Sequence, residues 1–225
     1  MDKKYELLEN DTITIGNTVA LYRIKAVKDF GDVKSGEFGG YIESEDNLSQ
    51  KGDCWVYDNA MVFGDTEVFG NAEVYGDAKV FGSAKVSGNA MVFGDAWVFG
   101  DAEVYGDARV FGNAEVYGDA KVYGDARVFG NARVSGNARV SDNAYIDSTY
   151  KYLSVGPIGS RNDFTTFYLD KSSKIWVNCG CFNDSIDEFE KAVNNTHKNN
   201  EFYRNQYLSM VEYTRKYLIK NKEET

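Results

Sequence analysis

A six-residue period runs unbroken from Gly52 to Asp147 and limits the possible folds of this chain more than any other feature. Sixteen consecutive units read Gly-(Asp/Asn)-Ala-x-Val-(Phe/Tyr), as in Gly76-Asp77-Ala78-Lys79-Val80-Phe81 and Gly118-Asp119-Ala120-Lys121-Val122-Tyr123. Glycine opens the units at 52 and at every sixth residue from 64 to 136, with Asp58 and Asp142 as substitutes. Positions three and five are mostly Ala and Val, while position four varies and is usually charged. That alternation puts Ala and Val on one face of a short strand and the variable residue on the other. Glycine marks a corner that needs φ > 0, and a neighbouring Asp or Asn suits the same turn. A strand closing at a corner every six residues winds into a coil, and three corners give a triangular coil of eighteen residues.

The variable positions support that coil independently. Every third unit stacks, so position four gives the column Glu67, Lys85, Glu103, Lys121, Arg139, with opposite charges alternating over its first four members. A second column, Met61, Lys79, Trp97, Glu115, Arg133, also sets a Glu against an Arg. Rungs about 4.8 Å apart make these cross-strand pairs. Position six is aromatic in twelve of the sixteen units, and its parity places the rings outside. A narrow prism lined by Ala and Val has no room for them. The column Tyr57, Tyr75, Phe93, Phe111, Phe129 is expected to form a ladder of offset rings. Contiguous apolar surface of that size points to contact with another copy of the chain, a dimer or small closed homo-oligomer.

Charge is unevenly placed. Residues 52–107 hold ten acids against Lys79 and Lys85, whereas 108–147 hold five of each sign. An acidic first half repels nucleic acid and membrane surfaces and suits a basic protein groove. The residues expected to meet such a partner are Asp53, Asp65, Glu67, Glu73, Asp77, Asp95, Asp101, Glu103 and Asp107. They mimic nucleic acid in charge density and rod shape, since a 4.8 Å rung does not match the roughly 3.4 Å phosphate spacing. Three cysteines and no segment resembling a signal peptide or a membrane span lead us to expect a reducing cytoplasm.

The flanks differ in kind. Residues 1–51 read as an N-terminal β cap, with strands at Thr12–Ile15 and Val19–Ile24 around the turn Gly16-Asn17, because the end of a β-helix exposes unpaired backbone. Residues 148–225 read as a small α+β domain. A hairpin joins 164–169 to 174–179, Ser185-Ile186-Asp187-Glu188 is a capping box, and a second helix runs from about Glu201 to Lys220. That helix carries Tyr203, Tyr207, Met210, Val211, Tyr217 and Leu218 on one face, interrupted by Thr214.

Several motifs resemble a family of phage and prophage hexapeptide-repeat proteins often labelled polymer-forming or transferase. They are Phe30-Gly31-Asp32-Val33-Lys34, Gly39-Gly40-Tyr41-Ile42-Glu43, Asn47-Leu48-Ser49, the repeats, Ile158-Gly159-Ser160-Arg161-Asn162-Asp163, Cys179-Gly180-Cys181-Phe182, Asp187-Glu188-Phe189 and Thr196-His197. The resemblance implies a mobile-element origin and a bacterial cytoplasmic setting. By analogy with known hexapeptide proteins, the fold class expected is mainly β: a left-handed parallel β-helix over 52–147 between the β cap and the α+β domain.

Catalysis is not expected. Hexapeptide acyltransferases use a His as general base, usually with a loop excluded from the coil. Here the lone histidine, His197, lies outside the repeats, and no loop interrupts them. Aliphatic residues in those enzymes are usually followed directly by Gly or Asn, whereas Val here is followed by Phe or Tyr. Cys179, Cys181 and His197 supply three zinc ligands with no fourth, and Cys54 is remote, so the Cys-x-Cys reads as a β-strand with both thiols on one buried face, structural in role, and no metal or cofactor is expected. Asp at the corners caps turns and needs no calcium. Arg161 is a candidate anion site. The leading expectation is thus a non-enzymatic inhibitor of a host defence or other nucleic-acid-acting system. The alternatives are a self-assembling structural protein and an acyltransferase.

Overall fold

The computed structural model describes residues 3–16 and 18–220. The repeats form a β-solenoid whose rungs pair in parallel at an eighteen-residue offset, as in Met61↔Lys79, Met91↔Arg109 and Glu103↔Lys121. Two of its faces are six parallel rungs deep and the third is five. Ala at position three and Val at position five are buried in every regular unit, from Ala72 and Val74 to Ala138 and Val140. The core is therefore a dry column of small side chains, stacked as the period of two demands. Glycines at the corners all take positive φ, and Asp58 (+53°) and Asp142 (+46°) adopt the same conformation.

The segment before Gly52 adds an irregular first coil. Phe38–Ile42 pairs in parallel with Met61–Val62, and Leu48 bridges Val68, both two residues out of the eighteen-residue register. The strands Tyr5–Ile15 and Val19–Ala26 then extend that face antiparallel, paired up to Ile15↔Val19. Gly16 turns with φ +57°. Asn17 of the expected turn lies outside the described residues.

Hydrogen bonds between coils run both ways, as a parallel ladder requires: Trp55 N and Glu103 N donate forward to Ala72 O and Ala120 O, while Asp142 N donates back to Tyr123 O. Each end of the stack is therefore left with unpaired N–H and C=O groups, and buried backbone groups must be satisfied. The caps supply partners for some of them. At the first end Lys4 Nζ donates to Gly52 O (3.2 Å) and Cys54 O (2.8 Å), and Tyr5 Oη donates to Leu48 O (2.6 Å). At the other, hydroxyl oxygens accept: Thr149 from Arg133 N (3.1 Å), Tyr152 from Ser135 N (3.2 Å) and Thr166 from Arg139 N (2.9 Å).

Thr166 belongs to a four-stranded antiparallel sheet, Tyr152–Ile158, Asp163–Leu169, Ile175–Cys179 and Phe182–Ser185. The expected hairpin forms its middle. One face of the sheet closes the solenoid through Tyr168, whose hydroxyl lies 3.0 Å from Ser141 Oγ. The other carries helices α1 (Ile186–Thr196) and α2 (Glu201–Lys220). Tyr207, Val211, Thr214 and Leu218 are the buried stripe of α2. Only half of the expected capping box forms. Ser185 Oγ accepts from Glu188 N (3.4 Å), but the Glu188 carboxylate instead binds Lys191 Nζ (2.7 Å), one helical turn on.

Candidate functional site

Position in the repeat decides where each acid points. Position two follows the glycine and sits on a corner, while position four lies mid-face. Asp53 and Asp107 share one corner with Asn71 and Asn89, whose amides rung by rung reach Asn89 Oδ1 (3.1 Å) and Asp107 Oδ1 (2.9 Å). Asp77 and Asp95 lie on a second corner, where Asn59 Nδ2 donates to Asp77 Oδ1 (3.3 Å). Asp65 and Asp101 occupy the third. Glu67 and Glu103 are mid-face, each holding a lysine from the next rung, Lys85 (3.3 Å) and Lys121 (2.7 Å). Glu73 stands on another face between Tyr57 and Tyr75. Burial first, and then Asp32, raise its carboxyl above the ordinary range. The nine acids are thus spread around the prism, and the structure brings only some of them together.

The acids that do converge meet at the N-terminal end. Asp65 and Glu67 line a cleft of about 680 Å³ with Glu43, Asp46 and Phe69. Buried Asn47 builds its wall: its Oδ1 accepts from the N–H groups of Glu43 (3.1 Å) and Ser44 (2.9 Å), and its Nδ2 donates to Gly64 O (2.8 Å) and Thr66 O (3.1 Å). Glu43 Oε2 accepts from Gly64 N (2.7 Å). Phe69 is 40% exposed because its column neighbours are Ser49 and Ser87, which offer no ring to stack on. Glu43 and Asp46 precede the repeats, and the repeat frame does not assign them; the Leu48 rung was the signal available. A second cleft of about 550 Å³ contains Asp77, Asp95, Glu115 and Trp97. Lys79 Nζ lies 4.9 Å over the Trp97 ring.

The expected aromatic column is a ladder. Tyr75, Phe93, Phe111 and Phe129 stack face to face with centroids 4.7–5.0 Å apart, and Tyr57 meets Tyr75 edge-on at 6.5 Å. Phe63, Phe81, Phe99 and Tyr117 form a second one. Ring spacing equals rung spacing, so each ring covers its neighbour's face and leaves the whole column half-buried. Burial raises the Tyr57 hydroxyl to about 12, with Glu73 next in effect.

The α+β domain gathers three of the motifs quoted above. Arg161 lies against the turn at Gly180, where a Cβ would come within 2.6 Å of its guanidinium carbon. Cys179 and Phe182 are a cross-strand pair, so Gly180 (φ +63°) and Cys181 are the two turn residues between them. The expectation of a Cys-x-Cys on a strand is thereby corrected: left-handed glycine ends the strand after Cys179, and Cys181 is turned outward and exposed. Thr165 Oγ1 donates to Cys179 Sγ (3.2 Å), and Arg161 Nη1 lies 3.8 Å from Cys181 Sγ. Tyr207 packs beside them against Gly159, and burial, followed by the adjacent Cys179, pushes its hydroxyl up to about 12. His197 stacks on the Tyr207 ring at 5.6 Å. Among the described residues no cluster of three or more His, Cys, Asp or Glu could hold a metal ion, and no helix is long and apolar enough to cross a membrane.

Comparison with known proteins centres on the repeats. Residues 84–100, 120–134 and 132–146 match the family model for the YdcK beta solenoid repeat. A protein of Escherichia coli (strain K12) named "Uncharacterized acetyltransferase YdcK" is 51% identical over 47 residues, 20% of this chain and 14% of the relative. The chain therefore covers a small part of that relative's length. The match nevertheless corrects the expectation that this chain is not an enzyme, because the same repeats occur in a protein named as an acetyltransferase. A histidine missing from the repeats says nothing about groups supplied from outside them, since function resides in sites grafted on a fold. What the matches carry to this chain is its architecture, that of a β-solenoid repeat protein.

Proposed function

We propose that this protein is an interaction module whose acidic N-terminal half engages a basic protein, with the cleft formed by Glu43, Asp46, Asp65 and Glu67 as the point of contact. The observation that carries the reading is convergence: four carboxylates and an exposed Phe69 around one concave surface. Charge of one sign in a cleft focuses its field and raises the rate of encounter with the opposite charge. The partner's class is a protein with a cationic groove. The resemblance to phage proteins makes a nucleic-acid-acting host defence component the leading instance, held by charge and rod shape as a decoy. The chemically closed ends of the solenoid weigh against open-ended polymerisation, while the ring columns keep a closed dimer in the proposal. The test is a pull-down from bacterial lysate with the wild-type chain and with an Asp46→Asn, Asp65→Asn, Glu67→Gln variant. The expected result is a nucleic-acid-binding protein retained by the wild type, released by salt and lost with the variant. The same partner with the same salt response in both would refute the cleft.

A second reading is acyl transfer, favoured by the name of the Escherichia coli relative. Release of free thiol from acetyl-coenzyme A tests it, with His197→Ala as the comparison because His197 is the chain's one histidine.

A further inference from the structure

We propose that the Cys179-Gly180-Cys181 turn is a thiol–disulfide exchange site that reacts with small disulfides and closes on itself. Its two sulfurs have different surroundings. Cys181 is exposed, with the Arg161 guanidinium 3.8 Å away, whereas Cys179 is half-buried, accepts from Thr165 Oγ1 at 3.2 Å and lies beside the Tyr207 hydroxyl. Cys181 is therefore the sulfur an incoming disulfide meets, and Cys179 is held in reserve behind it. Arg161 presents positive charge to an anionic disulfide such as oxidised glutathione. Its guanidinium rests on Gly180, where both the +63° φ and the missing Cβ are required, so the turn that carries the two sulfurs is pinned. Two residues apart across a turn, the Cα atoms are roughly 5–7 Å from each other, within reach of a disulfide.

The exchange balances as two steps. The Cys181 thiolate attacks one sulfur of oxidised glutathione, its proton passing to solvent, and one glutathione leaves as a thiol. The Cys179 thiolate then attacks Cys181 Sγ, and the second glutathione leaves. Two thiols of the protein are oxidised to one disulfide while one glutathione disulfide is reduced to two glutathiones. Cys54 provides an internal standard: it is fully buried, with Lys4 Nζ 3.3 Å from its sulfur, and stays reduced in the folded chain.

The experiment treats the folded full chain with oxidised glutathione and follows intact mass and free thiols. The expected product has lost two thiols, carries no glutathione and reverts with dithiothreitol. Cys179→Ser should stop at one glutathione on Cys181, Cys181→Ser should be unreactive, and Arg161→Gln should slow the first step by roughly tenfold. Serine is nearly isosteric with cysteine, and circular dichroism confirms that each variant is folded. A wild-type chain that keeps glutathione on Cys181, or that leaves both thiols untouched while Cys54 is also intact, overturns the proposal.

Discussion

The corner glycines allow backbone conformation and coil-to-coil contact to be separated by experiment. Gly88 and Gly136 have nearly the same backbone, φ +70° and +64°. Their surroundings differ. A Cβ on Gly88 would lie 2.8 Å from Gly106 N and 3.0 Å from Gly106 O in the next coil, whereas one on Gly136 meets nothing within 4 Å. Gly136→Ala therefore loses only the left-handed preference, about 1–2 kcal/mol. Gly88→Ala loses that and must also push apart two backbones joined by the rung's hydrogen bonds, adding about 1–3 kcal/mol as overpacking does in a core. At about 2–4 °C per kcal/mol for a chain of this size, Gly88→Ala should melt roughly 2–12 °C below Gly136→Ala. Urea unfolding followed by circular dichroism gives the same comparison, provided the slopes agree. Gly16→Ala, with φ +57° and open space around it, should resemble Gly136→Ala. Equal losses for Gly88→Ala and Gly136→Ala would show that the glycines serve conformation alone and that contact between coils tolerates a methyl group.

Four further outcomes follow from the caps, the ladders and the titrating groups. Thr166→Val keeps the shape of the side chain but leaves Arg139 N without its acceptor, and should cost about 1–3 kcal/mol in urea unfolding; unchanged stability would show that the end N–H groups need no cap. Tyr57, pushed up to about 12 by burial, keeps its proton in the folded chain after the unfolded chain has lost it at 10.0. Its share of stability is thus complete below pH 10 and is lost as pH rises toward 12. Tyr57→Phe should flatten that decline in a melting-temperature titration, and an unchanged profile would contradict the assignment. Lys4, lowered by burial from 10.5, has the opposite sign: the unfolded chain binds its proton more tightly, so its contribution improves as pH rises through the lowered value toward 10.5. Sedimentation at micromolar concentration should show the dimer expected from the ring columns, with Phe93→Ser, Phe111→Ser and Phe129→Ser together giving a monomer. A wild-type monomer would confine the rings to their ladders.

Much of the solenoid is legible residue by residue. A strict period of six with glycine at one position, Ala and Val at two others and a free position between them leaves few ways to bury the apolar face. The charge columns also give the eighteen-residue register in advance, and Lys85 on Glu67, Lys121 on Glu103 and Arg133 on Glu115 are found paired in it. These features repeat locally, so their geometry follows from neighbours close in sequence. What tertiary structure alone decided lies where the repeat breaks. The register slip that puts Tyr41 against Met61 joins Glu43 and Asp46 to Asp65 and Glu67, and no local pattern announces it. The caps are decided the same way: buried Lys4 donates to carbonyls of Gly52 and Cys54 at one end, and hydroxyls of Thr149, Tyr152 and Thr166 accept from backbone N–H groups at the other. The Cys179-Gly180-Cys181 motif looked like a strand until pairing with Phe182 made its last two residues a turn. In each case the deciding contacts join segments far apart in sequence, and a chain read in order carries no record of which distant backbone groups will be left unpaired.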